Sequence, residues 1–550
     1  METKINQISQ IDVVLIGYEN QENLGLRSIM AYLLAQGYRV ELVSFARDRY
    51  PAILNLIKEF NPRLIGFSII FQFAIDEFAQ LAHYLREQGI KSHFTAGGHF
   101  PSLCPKETLE LLPDLDSVVR FEGELTLAEL LENLEHPQNW GNVQGLAFRQ
   151  GSELILTEPR PLIQDLDSLP LVYRDKLLSS WTGVPMASML ASRGCLFNCS
   201  FCSIRQFYGG AKGKLRRSRS PQAVVDEMAD LFYGRNVRYF YFQDDDFAAR
   251  TTQQRKWLNQ FIEALQRAQL ADKISWKISC RVDDLDEEIL EPMLDCGLMA
   301  VYLGVESGSQ RGLQTLNKFV TVEQNLVAIN LLKRYHVATA IGFMMFDPSS
   351  NVQTVRENIA FLRSVGTDGY FPINFCKMLP YAGTPIEREL LASNRLKGSI
   401  TRPDYDFLDP IINDYSFLVQ QIFTRRNFTS DGLLSRLQQA DFEYRLAKAL
   451  QVTDIPDTYE FELRHLIKES NELALNTLEV LLNLLVEDDI DRLLADRSQL
   501  LEIAEREWRG ETETELALDA LLMQSEIAPY HPLSSNISSF SPNLPIDKQS

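Results

Sequence analysis

Residues 191–204 read ASRGCLFNCSFCSI and hold three of the chain's seven cysteines, Cys195, Cys199 and Cys202. Their spacing is C-x3-C-x2-C, at a glycine-containing turn (Arg193, Gly194) that follows the apolar run MASML. An odd number of cysteines with three clustered does not suit a disulfide framework; in a reducing compartment such a cluster binds metal or does chemistry. Cys104, Cys280, Cys296 and Cys376 lie singly in apolar surroundings and read as small buried hydrophobes. Structural zinc usually takes four protein ligands, often from paired knuckles, and the sequence has no second C-x2-C. Three thiolates suit a four-iron, four-sulfur cluster with one iron left open for an exogenous ligand. On the residues alone, chance clustering or a zinc site completed by a distant histidine stand as alternatives.

Working outward, strand-like runs recur downstream: VRYFYFQDDDF, ISWKISCRV, MAVYLGVES, ATAIGFMMF and GYFPINFCKML, from Val237 to Leu379. Helical patterns such as SPQAVVDEMADLFYG and VEQNLVAINLLKRY lie between them. With MASMLASRG as the first, six strands with helical crossovers predict a partial TIM-like (β/α)6 barrel over 186–400, with its chemistry at the carboxyl ends of the strands. Upstream, IDVVLIGY, RVELVSF, RLIGFSII, KSHFTAGG and SVVRFEGE alternate with helical segments. That rhythm predicts a doubly wound, Rossmann-like α/β domain over 1–140. Residues 141–185 carry prolines and little periodicity and read as a linker. Residues 401–525 are helical and acidic, with 28 Asp+Glu against 13 Lys+Arg from Thr401 onward in a chain of net charge −20. This argues against nucleic-acid binding there. Residues 526–550 are Pro/Ser-rich and read as a disordered tail. No apolar run approaches the length that spans a bilayer and the N-terminus is polar, so a soluble, cytoplasmic protein is expected.

CLFNCSFC resembles the signature of the radical S-adenosylmethionine (SAM) enzymes, including the aromatic Phe201 before the last cysteine. YLGVESG (Gly304, Glu306, Ser307) resembles that family's fourth-strand motif, near the amino group and ribose of SAM. ISCRVDD (Ser279, Arg281) resembles the third-strand motif, and FQDDDF, with Asp245, the second-strand end. GFMMFDP and MLPYAGTPI resemble the fifth and sixth strand exits. The resemblance implies that Cys195, Cys199 and Cys202 hold the cluster and that its open iron chelates SAM, which is cleaved to a 5′-deoxyadenosyl radical. Glu306 and Arg281 suit the ammonium and carboxylate of SAM, with a rim ion pair as the bland alternative. The DDD run reads equally as a solvated strand end.

A doubly wound domain ahead of this barrel resembles the cobalamin domain of cobalamin-dependent radical SAM enzymes of the class B methylase type. Ligands of such sheets sit at carboxyl strand ends, which singles out Glu22, Asn23 and Gly25, Ser68, Gly97, Gly98 and His99, and Gly123 and Glu124. The D-x-H-x-x-G motif that supplies a histidine to cobalt is replaced by NQENLG, with Asn20 and Glu22 in the Asp and His positions and Gly25 retained. The implied cobalamin is therefore base-off, without a His ligand from the Glu22 loop. His99 is read as a packing group or peripheral hydrogen-bonder sooner than a cobalt ligand. A sheet that binds nothing is the alternative.

The resemblance implies C- or P-methylation of an unactivated centre through the 5′-deoxyadenosyl radical and methylcobalamin. Rearrangement, ring contraction or cyclisation without net methyl transfer is the runner-up, and a catalytically idle cluster-carrying sensor or scaffold the reading from another class. Expected partners are a small-molecule or peptide substrate and a flavodoxin or ferredoxin as electron donor, with no nucleic acid and no membrane. The basic stretch GGAKGKLRRSRSP, from Lys212 to Arg219, reads either as an anion site or as a solvated loop. The C-terminal helices are expected to close the active site or bind substrate.

Overall fold

The computed structural model describes residues 11–19, 22–175, 178–247, 249–453, 455–488, 493 and 497–524. Asn20 and the 526–550 tail lie outside them.

The first sheet takes β1 (Val13–Gly17), β2 (Val40–Ser44), β3 (Leu64–Ser68), β4 (His93–Gly97) and β5 (Ser117–Val119) in parallel, in the order β2-β1-β3-β4-β5. Parallel strands covered on both faces need continuous apolar runs, and every residue of β1 is buried. Alternate residues feed opposite layers: Val14 and Ile16 pack with Ile65, Phe67 and Phe94, while Val13 and Leu15 pack with Leu26, Met30 and Leu127. The strand order reverses between β1 and β3, so a crevice opens at their carboxyl ends.

The reading of 141–185 as a linker needs correction. Residues 146–156 form a hairpin, β6 (Leu146–Gln150) and β7 (Glu153–Leu156), that extends the first sheet antiparallel to β5. Gly151 turns it at φ +64, a conformation that suits glycine. The prolines at 159, 161 and 170 mark the true connector, which starts past this hairpin.

The second sheet begins with a short antiparallel strand, β8 (Ser180–Trp181), against β9 (Val184–Met189). A two-residue antiparallel pair, β10 (Ser192–Arg193) with β11 (Arg217–Ser218), then brackets the cysteine loop. β12 (Tyr239–Phe242), β13 (Ser275–Arg281), β14 (Leu298–Glu306), β15 (Ala338–Phe346) and β16 (Cys376–Lys377) follow β9 in parallel. The result is six parallel strands curled into an incomplete barrel, as the alternation predicts. Phe240, Phe242, Trp276, Ile278, Leu303 and Phe343 point outward into the helix-covered core. By the period of two, Tyr241, Lys277, Ser279, Tyr302 and Gly304 face the lumen.

The C-terminal helices do not close the rim that carries the cysteines. Helix 433–450 sends Leu446 and Leu450 against Val184, Met186, Tyr239, Met299 and Ala338, residues at the beginnings of the strands. Arg445 fixes it there, donating to the carbonyls of His336 at 3.2 Å and Tyr370 at 3.4 Å. It plugs the opposite mouth of the barrel. Among the described residues no helix is long and apolar enough to cross a membrane.

Candidate active site at the domain seam

The cysteine loop is held by backbone from three directions. Ser200 N–H donates to the Leu316 carbonyl at 3.0 Å, the Ser200 carbonyl accepts from Ile386 N–H at 3.0 Å, and Asn317 Nδ2 donates to the Asn198 carbonyl at 2.7 Å. Gly194 must be glycine: its φ is +85 and a Cβ would lie 1.9 Å from the Leu215 carbonyl oxygen. Phe201 packs against the barrel core. Burial pushes all three thiols up, Cys202 to about 12. Without a metal they stay protonated, so the thiolate form that ligates iron has to be drawn out by metal charge. Among the described residues no three His, Cys, Asp or Glu side chains converge on a point that would hold a single metal ion.

Arg281, at the end of β13, lies against this loop. Its guanidinium sits 3.6 Å from the Phe197 ring centroid, with Nη1 3.7 Å from Cys199 Sγ, Nη2 donating to the Lys318 carbonyl at 2.6 Å and Nε to Asp283 at 2.9 Å. Four partners fix it beside the cysteine loop. Glu306 ends β14 at φ +68, a strained conformation for a side chain with a Cβ. Its carboxylate accepts from Lys318 Nζ at 2.9 Å. Lys318, only 4% exposed, was not singled out by the sequence, since nothing in LNKF marks a lysine as buried. The alternative foreseen for Glu306, an ion pair, is thus present, but it lies over the lumen. Next to it, a Cβ on Gly304 would lie 2.8 Å from Lys318 Nζ, and one on Gly342 2.6 Å from Tyr302 Oη. These glycines keep the space beside Glu306 open. Ser279 is half-buried on the lumen side of β13.

Ser307 does not reach this space. It is fully buried, donating to Asn358 Oδ1 at 3.1 Å and accepting from Ser309 N–H at 3.1 Å. Its role is to shape the turn after β14. The DDD run divides by period. Asp244 is buried, accepting from Ala191 N–H and the Ser192 hydroxyl, and Asp246 is buried 3.7 Å from Cys195 Sγ. Asp245 is exposed to a cleft while accepting from Gly194 N–H at 2.8 Å, and the protein packed around its carboxyl, with Asp244 and Asp246 beside it, pushes it up.

That cleft, about 670 Å³, lies on the seam between the two sheets. Asn23, Gly25, Ser68, Gly97, Gly98, His99, Gly123 and Glu124 line it from the first domain, and Ser192, Arg193, Phe207, Gln243 and Asp245 from the barrel. Its floor is rich in glycine at successive strand ends, so backbone can approach a broad ligand closely. Asn23 caps the helix that follows, accepting from Leu26 N–H at 3.1 Å, and donates to Ser68 Oγ at 3.4 Å. His99 stacks on Phe207 with ring centroids 4.4 Å apart and meets Ser203 Oγ through Nδ1 at 3.2 Å. Burial lowers it to about 4, so it is neutral.

Charged side chains lock the seam. Arg193 pairs with Glu124 at 2.6 Å and Glu122 at 3.1 Å, and Arg217 pairs with Glu122 at 2.8 Å. Glu22 Oε2 accepts from Ser188 N–H at 2.6 Å and from Arg174 at 2.7 Å. Arg174 also meets Glu227, as does Arg219. The basic stretch is therefore not wholly a solvated loop. Arg217 and Arg219 are consumed in pairs, while Lys212 and Lys214 are exposed. Such buried pairs fix register more than they add net stability.

Comparison with known proteins accords with this division. Residues 12–131 match the B12 binding domain and residues 189–362 the Radical SAM superfamily. The chain is 27% identical to an uncharacterized methyltransferase of Pyrococcus horikoshii over 81% of this chain and 92% of that one. It is 30% identical to the anaerobic magnesium-protoporphyrin IX monomethyl ester cyclase of Cereibacter sphaeroides over 58% of this chain and about half (51%) of that protein. The fold is shared with the cobalamin-dependent SAM radical enzyme OxsB, solved with aqua-cobalamin and SAM (TM-score 0.68, 19% identity, 94% of this chain and 80% of that one). It is shared also with the radical SAM methyltransferase TsrM of Kitasatospora setae (TM-score 0.58, 18% identity, 70% and 75%).

Proposed function

We infer that this chain, which joins a B12-binding domain to a radical SAM domain, is a cobalamin-dependent radical SAM enzyme, and we propose that it methylates an unactivated carbon or phosphorus centre. The observation that carries the proposal is that one cleft is lined from both domains, with the glycine-rich strand ends of the first facing Asp245, Ser192 and Arg193 beside the cysteine loop. A methyl donor and a radical generator would then serve one substrate.

When bound, SAM and the cluster supply a 5′-deoxyadenosyl radical and cobalamin supplies a methyl group. The chain's own residues do the rest. Cys195, Cys199 and Cys202 hold the cluster, and Arg281 offers its positive charge beside Cys199. Glu306, anchored by Lys318, presents a carboxylate to the ammonium of SAM, and Gly304 and Gly342 leave room for the nucleoside. Glu22 Oε1 is buried without a hydrogen-bond donor on the edge of the cleft; an amide of the corrin rim would satisfy it. Glu22 is committed through Oε2 to Ser188 and Arg174, and His99 to Ser203 and Phe207, so neither side chain would be offered to cobalt, and the cobalamin is proposed to bind base-off. Phe71 and Phe73, stacked at 5.2 Å, and Tyr381, 5.5 Å from Phe71, give the rim an aromatic wall. A flavodoxin- or ferredoxin-like donor is the proposed electron source.

Anaerobic reconstitution with iron, sulfide and hydroxocobalamin tests the reading. Corrin absorbance retained after desalting, together with 5′-deoxyadenosine formed from SAM and reductant, is expected. Cobalamin-dependent S-adenosylhomocysteine supports methylation. The likeness to a cyclase keeps one second reading, rearrangement or cyclisation, for which 5′-deoxyadenosine would form with no S-adenosylhomocysteine.

A further inference from the structure

The lumen of the barrel contains a cation that neither cofactor site uses. Lys277 lies in the middle of β13, in register with Tyr241 of β12. Its neighbours in sequence, Trp276 and Ile278, are outward in the core, so its side chain is turned inward, where it is half-buried. The ammonium donates to Tyr241 Oη at 3.3 Å and stands 4.3 Å from the Tyr241 ring centroid and 5.8 Å from that of Tyr302. Among the described residues no carboxylate forms an ion pair with it, although the chain as a whole carries a net charge of −20. The other cations at this site are committed: Lys318 to Glu306, Arg281 to Asp283, and Arg193 to Glu122 and Glu124.

The space around Lys277 is open toward the rim and closed beneath. Tyr302 is 39% exposed although it belongs to a central strand, and Ala340, opposite it on β15, is half-buried. A Cβ on Gly342 would lie 2.6 Å from Tyr302 Oη and 3.4 Å from Glu306 Oε2, so Tyr302 links Lys277 to the rim. Below, Tyr239 meets Phe442 of the plugging helix at 5.3 Å. Lys277 lies four positions before Arg281, which is beside the cysteine loop, a span of roughly 13 Å along the strand.

We infer that Lys277 receives an anionic group of the substrate, a carboxylate or a phosphate, inside the barrel. The inference rests on the radical-enzyme reading above and names the class of molecule that site accepts. The substrate carries its anion at depth, between two tyrosines that also donate hydrogen bonds, and presents its reacting atom at the rim, on the order of 10 Å away.

Equilibrium dialysis of the reconstituted full-length chain against radiolabelled inorganic phosphate and against radiolabelled succinate tests it and separates the two anion types. Saturable binding of at least one is expected, weakened about tenfold or more in Lys277→Met and largely restored in Lys277→Arg, with SAM affinity unchanged in both variants. No saturable binding of either anion, or equal binding in Lys277→Met, overturns the proposal. Loss of SAM binding in Lys277→Met also overturns it, by assigning the lysine to the cofactor. Anion binding that persists in a protein forming no 5′-deoxyadenosine counts against the enzyme reading and not against the site.

Discussion

Glu22 of the first domain accepts a hydrogen bond from the backbone N–H of Ser188, on the first parallel strand of the barrel, at 2.6 Å. The same oxygen takes the Arg174 guanidinium at 2.7 Å. A residue of the loop after β1 thereby joins two domains. Glu22→Ala leaves the buried Ser188 N–H unpaired and strips the buried Arg174 guanidinium of one of its two carboxylates, which costs about 2–5 kcal/mol. Chemical denaturation and limited proteolysis of the 157–175 connector check this, with a lower midpoint and faster cutting expected. Glu22→His should weaken the seam likewise without adding a nitrogen ligand to cobalt, as read from the electron paramagnetic resonance of the reduced corrin.

Replacing Cys195, Cys199 or Cys202 by alanine should abolish 5′-deoxyadenosine formation and lower the iron and sulfide bound after reconstitution. Retention of cobalamin should be unchanged, since its proposed contacts come from the first domain. Cys296→Ala is the control: fully buried in the core, it should leave iron content intact while losing about 1 kcal/mol of stability.

Gly342→Ala should weaken SAM binding about tenfold or more, because the added methyl lies 2.6 Å from Tyr302 Oη. Calorimetry with SAM measures the loss, and the cluster absorbance of the variant should match the parent.

Glu511, 3% exposed on the last described helix, is raised to about 7, chiefly by burial and then by Glu507. A carboxyl whose folded value lies above its unfolded value takes up a proton on folding. Its favourable contribution is full below about 4.5 and is lost as pH rises through about 7. Glu511→Gln should therefore gain stability relative to the parent at pH 8, by about 1–3 kcal/mol, and little at pH 5. Urea denaturation at the two pH values checks the sign.

Both sheets were legible because parallel strands advertise themselves. Runs such as VVLIG and YFYF are apolar throughout, and the helices between them keep a different period. The cysteine spacing marked one end of the barrel for the same reason, local chemistry at a local turn. What sequence concealed is pairing over distance. Glu22 with Ser188, Arg193 with Glu124, and Lys318 with Glu306 each depend on where two segments meet, and no periodicity encodes that. Lys277 was hidden differently: within ISWKISCRV it looks like the polar half of an ordinary alternation, and only the closing of the sheet turns that half inward. The β6–β7 hairpin was overlooked because prolines just past it suggested a linker.

Helix 433–450, packed across the beginnings of the barrel strands, makes the carboxyl-terminal third of the chain part of the reaction vessel. A barrel of six strands is a tube with a missing wall, and a tube leaks at both ends. With Leu446 and Leu450 seated in the lower opening, the mouth far from the first domain is filled with apolar side chains. Shortening the chain from its carboxyl end would therefore not trim an appendage; it would let bulk water rise toward the place where a radical has to survive.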